Sequence, residues 1–344
     1  NSSIIALFYV CLPIKNEIYW AMKKILTIVA CLCSVLVWAQ TVDYRLPSRY
    51  VDVLIPKEYQ KVVDYTLAYL NTKGTIESLN NGIIRFRANG EQHDLGLDNV
   101  VRKCANQIDR SLWRAIVERH FDNYFLLEQN ISELSMEVFD SVKNNLCVRF
   151  YPINNSKQFG AEWQNSMITR SDLPNVYSVL MLDVAGGFVS IDQQQIALWQ
   201  QNSDTLFRMA LGNMQQHPPK IVYTQWANPQ PYFQFAETNY AAVAALNLPY
   251  FIPDQVGKYG TVFAIPTKGL LMGYPINDPE SFTHFIRYVY PAVTYFHADQ
   301  PGAITTDFYW YYDQKFEKIQ LKALPDQDTF SVETPEKLLE IWKK

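Results

Sequence analysis

The stretch GTVFAIPTKGLLMGY, Gly260–Tyr274, reads as a buried β-hairpin. Two apolar runs flank the break Pro266-Thr267-Lys268-Gly269. Short continuous apolar runs bounded by turn residues suit strands covered on both faces. Its neighbours are therefore expected to cover it: a helix capped by Asp204 before it, and one capped by Asp278 after it.

Outward from that hairpin, Phe207, Ala210, Leu211 and Met214 recur at helical spacing from Asp204 to about Gln216, and His217-Pro218-Pro219 stops the helix. Strands are predicted at Lys220–Thr224 and Tyr232–Phe235, and a short helix over Tyr240–Leu246. On the other side, Asp278-Pro279 opens a helix with Phe282, Phe285, Ile286 and Val289 on one face, ended or kinked by Pro291. Thr306–Tyr312 and Phe316–Leu321 form a last hairpin, and Thr334-Pro335 caps a C-terminal helix.

Toward the N-terminus, Val176–Asp183 and Phe188–Ile191 are strands around the turn Gly186-Gly187. A helix runs from Pro56 to about Leu70, and a hairpin, Gly82–Arg87 and Gln92–Leu97, turns at Asn89-Gly90. Helices follow from Asp98 (face Val101, Cys104, Ile108), from about Ser111 (Trp113, Ile116, Val117, His120) and over Asn123–Leu134. Helices and antiparallel hairpins alternate with few parallel crossovers and no fixed repeat, so the class is α+β. Two α/β subdomains are expected: a helix–hairpin–helix unit over residues 44–152 and an α+β unit over 156–322, with a tail and short helix over 323–344.

The chain has 344 residues, 48% of them hydrophobic, enough for a substantial core. The net charge is -4 and no Lys/Arg cluster runs through the body, which argues against a nucleic-acid partner. Met22-Lys23-Lys24, the apolar run Ile25–Trp38, and Val37 and Ala39 in the -3 and -1 places form a secretory signal pattern. Residues 22–39 are read as a signal peptide cleaved near Ala39. Export to the periplasm or the extracellular space follows, with no stable transmembrane span after cleavage. Residues 1–21 are then an upstream, non-native extension; the rival is an N-terminal membrane segment, interrupted by Lys15, Asn16 and Glu17. An alternative is a lipoprotein, lipidated at Cys31. Cleavage leaves Cys104 and Cys147, which either form one disulfide or stay as two buried thiols.

Three stretches carry a resemblance: LDNVVRKCA at Leu97–Ala105, LFRMALGNM at Leu206–Met214 and VFAIPTKGLLM at Val262–Met272. In that order the chain, from about Tyr50 to Leu321, resembles the bacterial YtpQ-like family, domain-of-unknown-function family 1444. The resemblance implies no activity. The family's hairpin turn pairs a base with a following acid; here Lys268 is followed by Gly269, so the acid is missing. Against cytoplasmic-looking members, this chain looks like an exported variant.

No catalytic, metal or cofactor residue is assigned. The histidines, His93, His120, His217, His284 and His297, show no HExxH or other tight ligand spacing. Asp94, Gly96 and Asp98 open like a calcium loop but lack its later ligands. Cys104 with His120 lacks an orienting group, and no GxSxG elbow, Walker loop or GxGxxG is present. In Phe308-Tyr309-Trp310-Tyr311-Tyr312, Phe308, Trp310 and Tyr312 face one way and Tyr309 and Tyr311 the other. The second face either packs across strands or, with Lys268, offers Tyr309 and Tyr311 to a protein or glycan partner. The reading is an exported, non-catalytic binding or structural protein; the alternative is a hydrolase assembled from dispersed residues. A concave site gathering two or more of His93, His120, Asp183 and the cysteines favours the enzyme. Exposed Tyr309 and Tyr311 favour binding.

Overall fold

The computed structural model describes residues 41–153, 166–323 and 330–343. The signal pattern, its cleavage site and Cys31 lie outside the described residues. The fold is α+β, in two compact units that divide between Val101 and Arg102.

The first unit holds β1 (Thr41–Val42), α1 (Pro56–Leu70), β2 (Thr75–Asn80), β3 (Ile83–Ala88) and β4 (Glu91–Gly96); the division falls inside α2 (Asp98–Ala105). The strands lie in the order β1-β2-β3-β4, β1 parallel to β2 and the rest antiparallel. Along β3 the side chains alternate: Ile84 and Phe86 are buried, whereas Arg85 and Arg87 face water. Each arginine meets a carboxylate across the sheet, Arg85 with Asp94 at 3.1 Å and Arg87 with Glu77 at 2.7 Å. Strand β2 was not foreseen. Ile108, expected on the face of α2, lies beyond the end of that helix and is exposed.

The second unit begins with α3 (Trp113–Glu133), one continuous helix across the two expected segments, then α4 (Phe139–Val142) and β5 (Leu146–Pro152). There follow β6 (Thr169–Leu173), β7 (Val176–Val184), β8 (Gly187–Ser190), α5 (Gln193–Trp199), α6 (Ser203–Met214), β9 (Lys220–Thr224), β10 (Tyr232–Ala236) and α7 (Leu248–Phe251). The chain continues with β11 (Thr261–Thr267), β12 (Leu270–Pro275), α8 (Pro279–Asp299), β13 (Phe308–Tyr312), β14 (Lys315–Ala323), β15 (Phe330–Glu333) and α9 (Glu336–Trp342). No helix among the described residues is long and apolar enough to cross a membrane.

The hairpin β11–β12 occupies the middle of a seven-stranded sheet ordered β15-β14-β13-β11-β12-β10-β9. Every residue of β11 is buried. One face, with Val262, Ala264, Met272, Tyr274, Phe308 and Trp310, packs under Phe282, Phe285, Ile286, Val289 and Val293 of α8. The opposite face, with Phe263, Ile265, Leu271, Tyr309 and Tyr311, joins the core that β5 and β7 also enter. Gly273 permits this packing: a Cβ there would lie 2.3 Å from the Phe233 ring. Strands β12 and β13 are both antiparallel to β11, so they run parallel to each other, joined by α8 over a strand that lies between them.

Asp278 caps α8 as expected, accepting from Ser281 N at 2.8 Å, and α8 continues through Pro291 to Asp299. The helix before the hairpin is capped by Asn202, not Asp204; Asn202 accepts from Asp204 N at 2.8 Å. That helix packs on β5, with Met214 Sδ 3.4 Å from Val148 N. A break near residues 152–156 is not where the chain divides. β5 pairs along its whole length with β7, which holds both sides of that point in one unit. The last residues also do more than trail, since β15 extends the seven-stranded sheet through β14.

In the four-stranded sheet β7 is central. β5 lies on one edge, while β6 and β8 pair end to end with the other.

Candidate functional site

The site grows from β5, Leu146-Cys147-Val148-Arg149-Phe150-Tyr151-Pro152. Alternation puts Leu146, Val148 and Phe150 on one face and Cys147, Arg149 and Tyr151 on the other. Cys147 lies opposite Met181, Arg149 opposite Val179 and Tyr151 opposite Tyr177. Asp183 continues this second face along β7, and Phe188 of β8 lies opposite Asp183. The result is a mostly buried sheet face rich in polar groups.

At one end of it opens a recess of about 250 Å³, lined by Asn144, Asn145, Asp183, Asn213, His217 and Tyr240 among others. Its walls are fixed by side chain to backbone bonds. Asn145 Nδ2 donates to the Asp183 carbonyl at 2.8 Å, and Asn213 Nδ2 donates to the carbonyls of Lys143 (2.8 Å) and Leu146 (3.0 Å). The Tyr240 hydroxyl donates to Asp183 Oδ2, with the Cys147 thiol close by. Burial, then the neighbouring Cys147 and Asp183, push the Tyr240 hydroxyl far above its usual acidity range. Burial first, and then Asp183, push the Cys147 thiol up to about 12. Cys147 is 1% exposed and lies behind the recess rather than in its wall. A thiol that is neither ionised nor accessible does not act as a nucleophile at neutral pH.

Farther along the same face stand two cations. The Arg149 guanidinium carbon is 3.8 Å from the centroid of the Phe188 ring. Lys268, in the β11–β12 turn, brings Nζ to 3.4 Å from the centroid of the Tyr151 ring. Burial, and secondarily Arg149, lower the Lys268 ammonium to about 7.

The residues singled out from sequence are dispersed. Tyr309 and Tyr311 are 0% and 7% exposed, and the Tyr309 hydroxyl donates to the Pro174 carbonyl at 2.9 Å. Of the two readings for that face, packing across strands is the one the structure shows and exposure to a partner is corrected: β13 is covered on both faces. Cys104 and Cys147 are free and buried, so the disulfide reading is also corrected. Burial pushes the Cys104 thiol to about 12. Lys268 alone of the candidate partner contacts stays polar and in reach of other functional groups. His120 on α3 accepts at Nδ1 from Lys103 Nζ at 3.3 Å, and burial, then Lys103, lowers it to about 4. His93 lies on β4 beside Phe86, and His284 and His297 lie on α8. Among the described residues, no three His, Cys, Asp or Glu side chains gather as a metal site.

Of His93, His120, Asp183 and the cysteines, only Asp183 is among the residues lining the recess, so the gathering of two or more that would favour an enzyme is not seen there; its companions are His217 and Tyr240. Arg149 and Tyr240 were not foreseen. The alternation in Leu146–Tyr151 is the signal that would have exposed Arg149. Comparison of the chain with protein-family models, with curated proteins and with solved structures gives no match.

Proposed function

We propose that the protein is an exported binding protein that takes a small hydroxyl-rich ligand, such as the end of a glycan, into the recess beside Tyr240. One observation carries this reading. Three carboxamides, a carboxylate, an imidazole and a phenol converge on one opening, while the thiol behind them is held protonated and covered. Such a lining offers donors and acceptors to several hydroxyls at once and supplies no competent thiolate. The test is titration of the full chain with soluble oligosaccharides and polyols, followed by calorimetry. Saturable binding, weakened about tenfold or more in His217→Ala, is expected from the loss of a hydrogen bond. No saturable binding by any member of the set would overturn it.

A hydrolase reading has its own support, since Asp183 and His217 line the same recess and Tyr240 bonds to Asp183. Turnover of chromogenic esters or glycosides that disappears in Asp183→Asn would favour it over binding.

Export is supported by the signal pattern over residues 22–39. Mass spectrometry of the native protein should find Gln40 first; an intact Met22 would remove the claim. Membership of the YtpQ-like family is supported by three stretches that occupy α2, α6 and the β11–β12 hairpin. A family member whose sheet lacks this central hairpin order would count against it.

A further inference from the structure

Arg149 and Lys268 are not among the residues lining the recess and raise a different question: why two cations stand near each other with no ion pair to either among the described residues. Arg149 is 8% exposed and its Nη1 has no hydrogen-bond partner. Neither Arg149 nor Lys268 takes part in the ion pairs found among the described residues, whereas Arg170 on the neighbouring β6 pairs with Asp172 at 2.8 Å. Asp183 is near enough to favour the charged Arg149, but it forms no ion pair with it and accepts from the Tyr240 hydroxyl.

The two cations are near enough for Arg149 to help lower the Lys268 ammonium. Arg149 and Tyr151 are successive residues on one face of β5, about 7 Å apart along the strand, and Lys268 sits on the Tyr151 ring. Phe188 and Tyr151 hold the two cations by their faces, which leaves N–H groups for an acceptor. Lys268 is placed by its backbone: its N–H donates to the Gly302 carbonyl at 2.9 Å and its carbonyl accepts from Ala242 N at 3.3 Å. The lysine stem runs past Gly302, where a Cβ would sit in ordinary contact with its Cγ and Cδ at 3.5 Å. Two like charges held near each other in a mostly buried place are unfavourable, and an unpartnered guanidinium N–H adds to the penalty. Keeping both cations is accounted for if an anion completes the group.

We infer that Arg149 and Lys268 form a binding site for an oxyanion group, a carboxylate or a phosphate, held by the guanidinium fork on one side and the ammonium on the other. A planar fork with an adjacent point charge is the donor arrangement such groups favour. This goes beyond the recess reading and shares no residue with it.

The experiment is calorimetric titration of the full chain with inorganic phosphate and, separately, with acetate, at matched ionic strength in chloride. Saturable binding of one or both is expected, and the stronger identifies the source of the oxyanion. Arg149→Lys keeps a cation but loses the fork and should weaken binding about 10- to 100-fold; Lys268→Met should do the same. His217→Ala should leave it unchanged, which separates this site from the recess. Absence of saturable binding to the unmodified chain overturns the inference whether or not the variants fold. So does wild-type affinity in a folded Arg149→Lys.

Discussion

The protein contains two four-stranded sheets that treat arginine in opposite ways. In β1–β4 the polar face is open to water, and Arg85 and Arg87 each meet a carboxylate across the strands. In β5–β8 the polar face is covered, and Arg149 forms no ion pair among the described residues while a lysine from another element lies near it. The first arrangement is ordinary surface chemistry, in which long charged side chains stay hydrated and pair loosely. The second runs against folding. A sheet can bury Leu, Val or Met at such a position without that penalty, so a buried guanidinium with an unpartnered N–H is costly to the fold.

The largest expected effect tests that contrast at its centre. Arg149→Met, in buffer free of phosphate and carboxylate, should stabilise the protein by about 1–3 kcal/mol, the penalty of a buried polar group left without a hydrogen-bond partner. Urea unfolding midpoints measure it, and a clear loss of stability would break the contrast. Added phosphate should narrow the gap by stabilising only the parent protein.

The second prediction concerns pH. The folded Lys268 ammonium is lowered from 10.5 to about 7, chiefly by burial. The unfolded chain therefore binds more protons between those values, and stability should rise as pH climbs from about 7 toward 10.5. The penalty is fully present below about 7. Lys268→Met should remove this rise while being more stable than the parent at neutral pH. An unchanged pH profile in the variant would show that Lys268 is not the group responsible.

A third test uses His120, whose imidazole falls to about 4 through burial and the neighbouring Lys103. The unfolded histidine takes up a proton near its ordinary 6.5, so stability should fall as pH drops from about 6.5 to 4. His120→Asn should flatten that part of the curve, and a parent curve already flat there would refute the assignment. The smallest effect belongs to the exposed arginines. A double-mutant cycle on Arg85 and Asp94 should give a coupling of about 0.2–1 kcal/mol, shrinking with salt. A value well above that would erase the distinction between the two sheets.

The central hairpin was legible because its signal is local: two apolar runs and a turn. The same holds for α8, whose cap and apolar stripe are contiguous in the chain. The covering of the tyrosines was not legible. Alternation correctly separates Tyr309 and Tyr311 from Trp310, but whether a second layer lies on their side depends on chain far away in sequence. The candidate site was missed for a related reason. Strand β5 follows helical segments closely, and its Cys147, Arg149 and Tyr151 form no motif until β7 pairs beside them and the β11–β12 turn brings up Lys268. Asp183 could be named as a candidate, but its bond to Tyr240 is a product of tertiary folding.

The order of the seven-stranded sheet has a consequence for synthesis. β11 lies between β12, which follows it at once, and β13, which emerges only after the whole of α8. Until Phe308–Tyr312 leaves the ribosome, a strand buried along its whole length in the finished fold pairs on one side and carries an open edge on the other. Open apolar edges recruit other chains. Pro266, which lacks an N–H to offer, interrupts that edge near its end and shortens what a stray strand could zip onto. The nascent chain is thus most vulnerable to self-association between the completion of the hairpin and the arrival of β13.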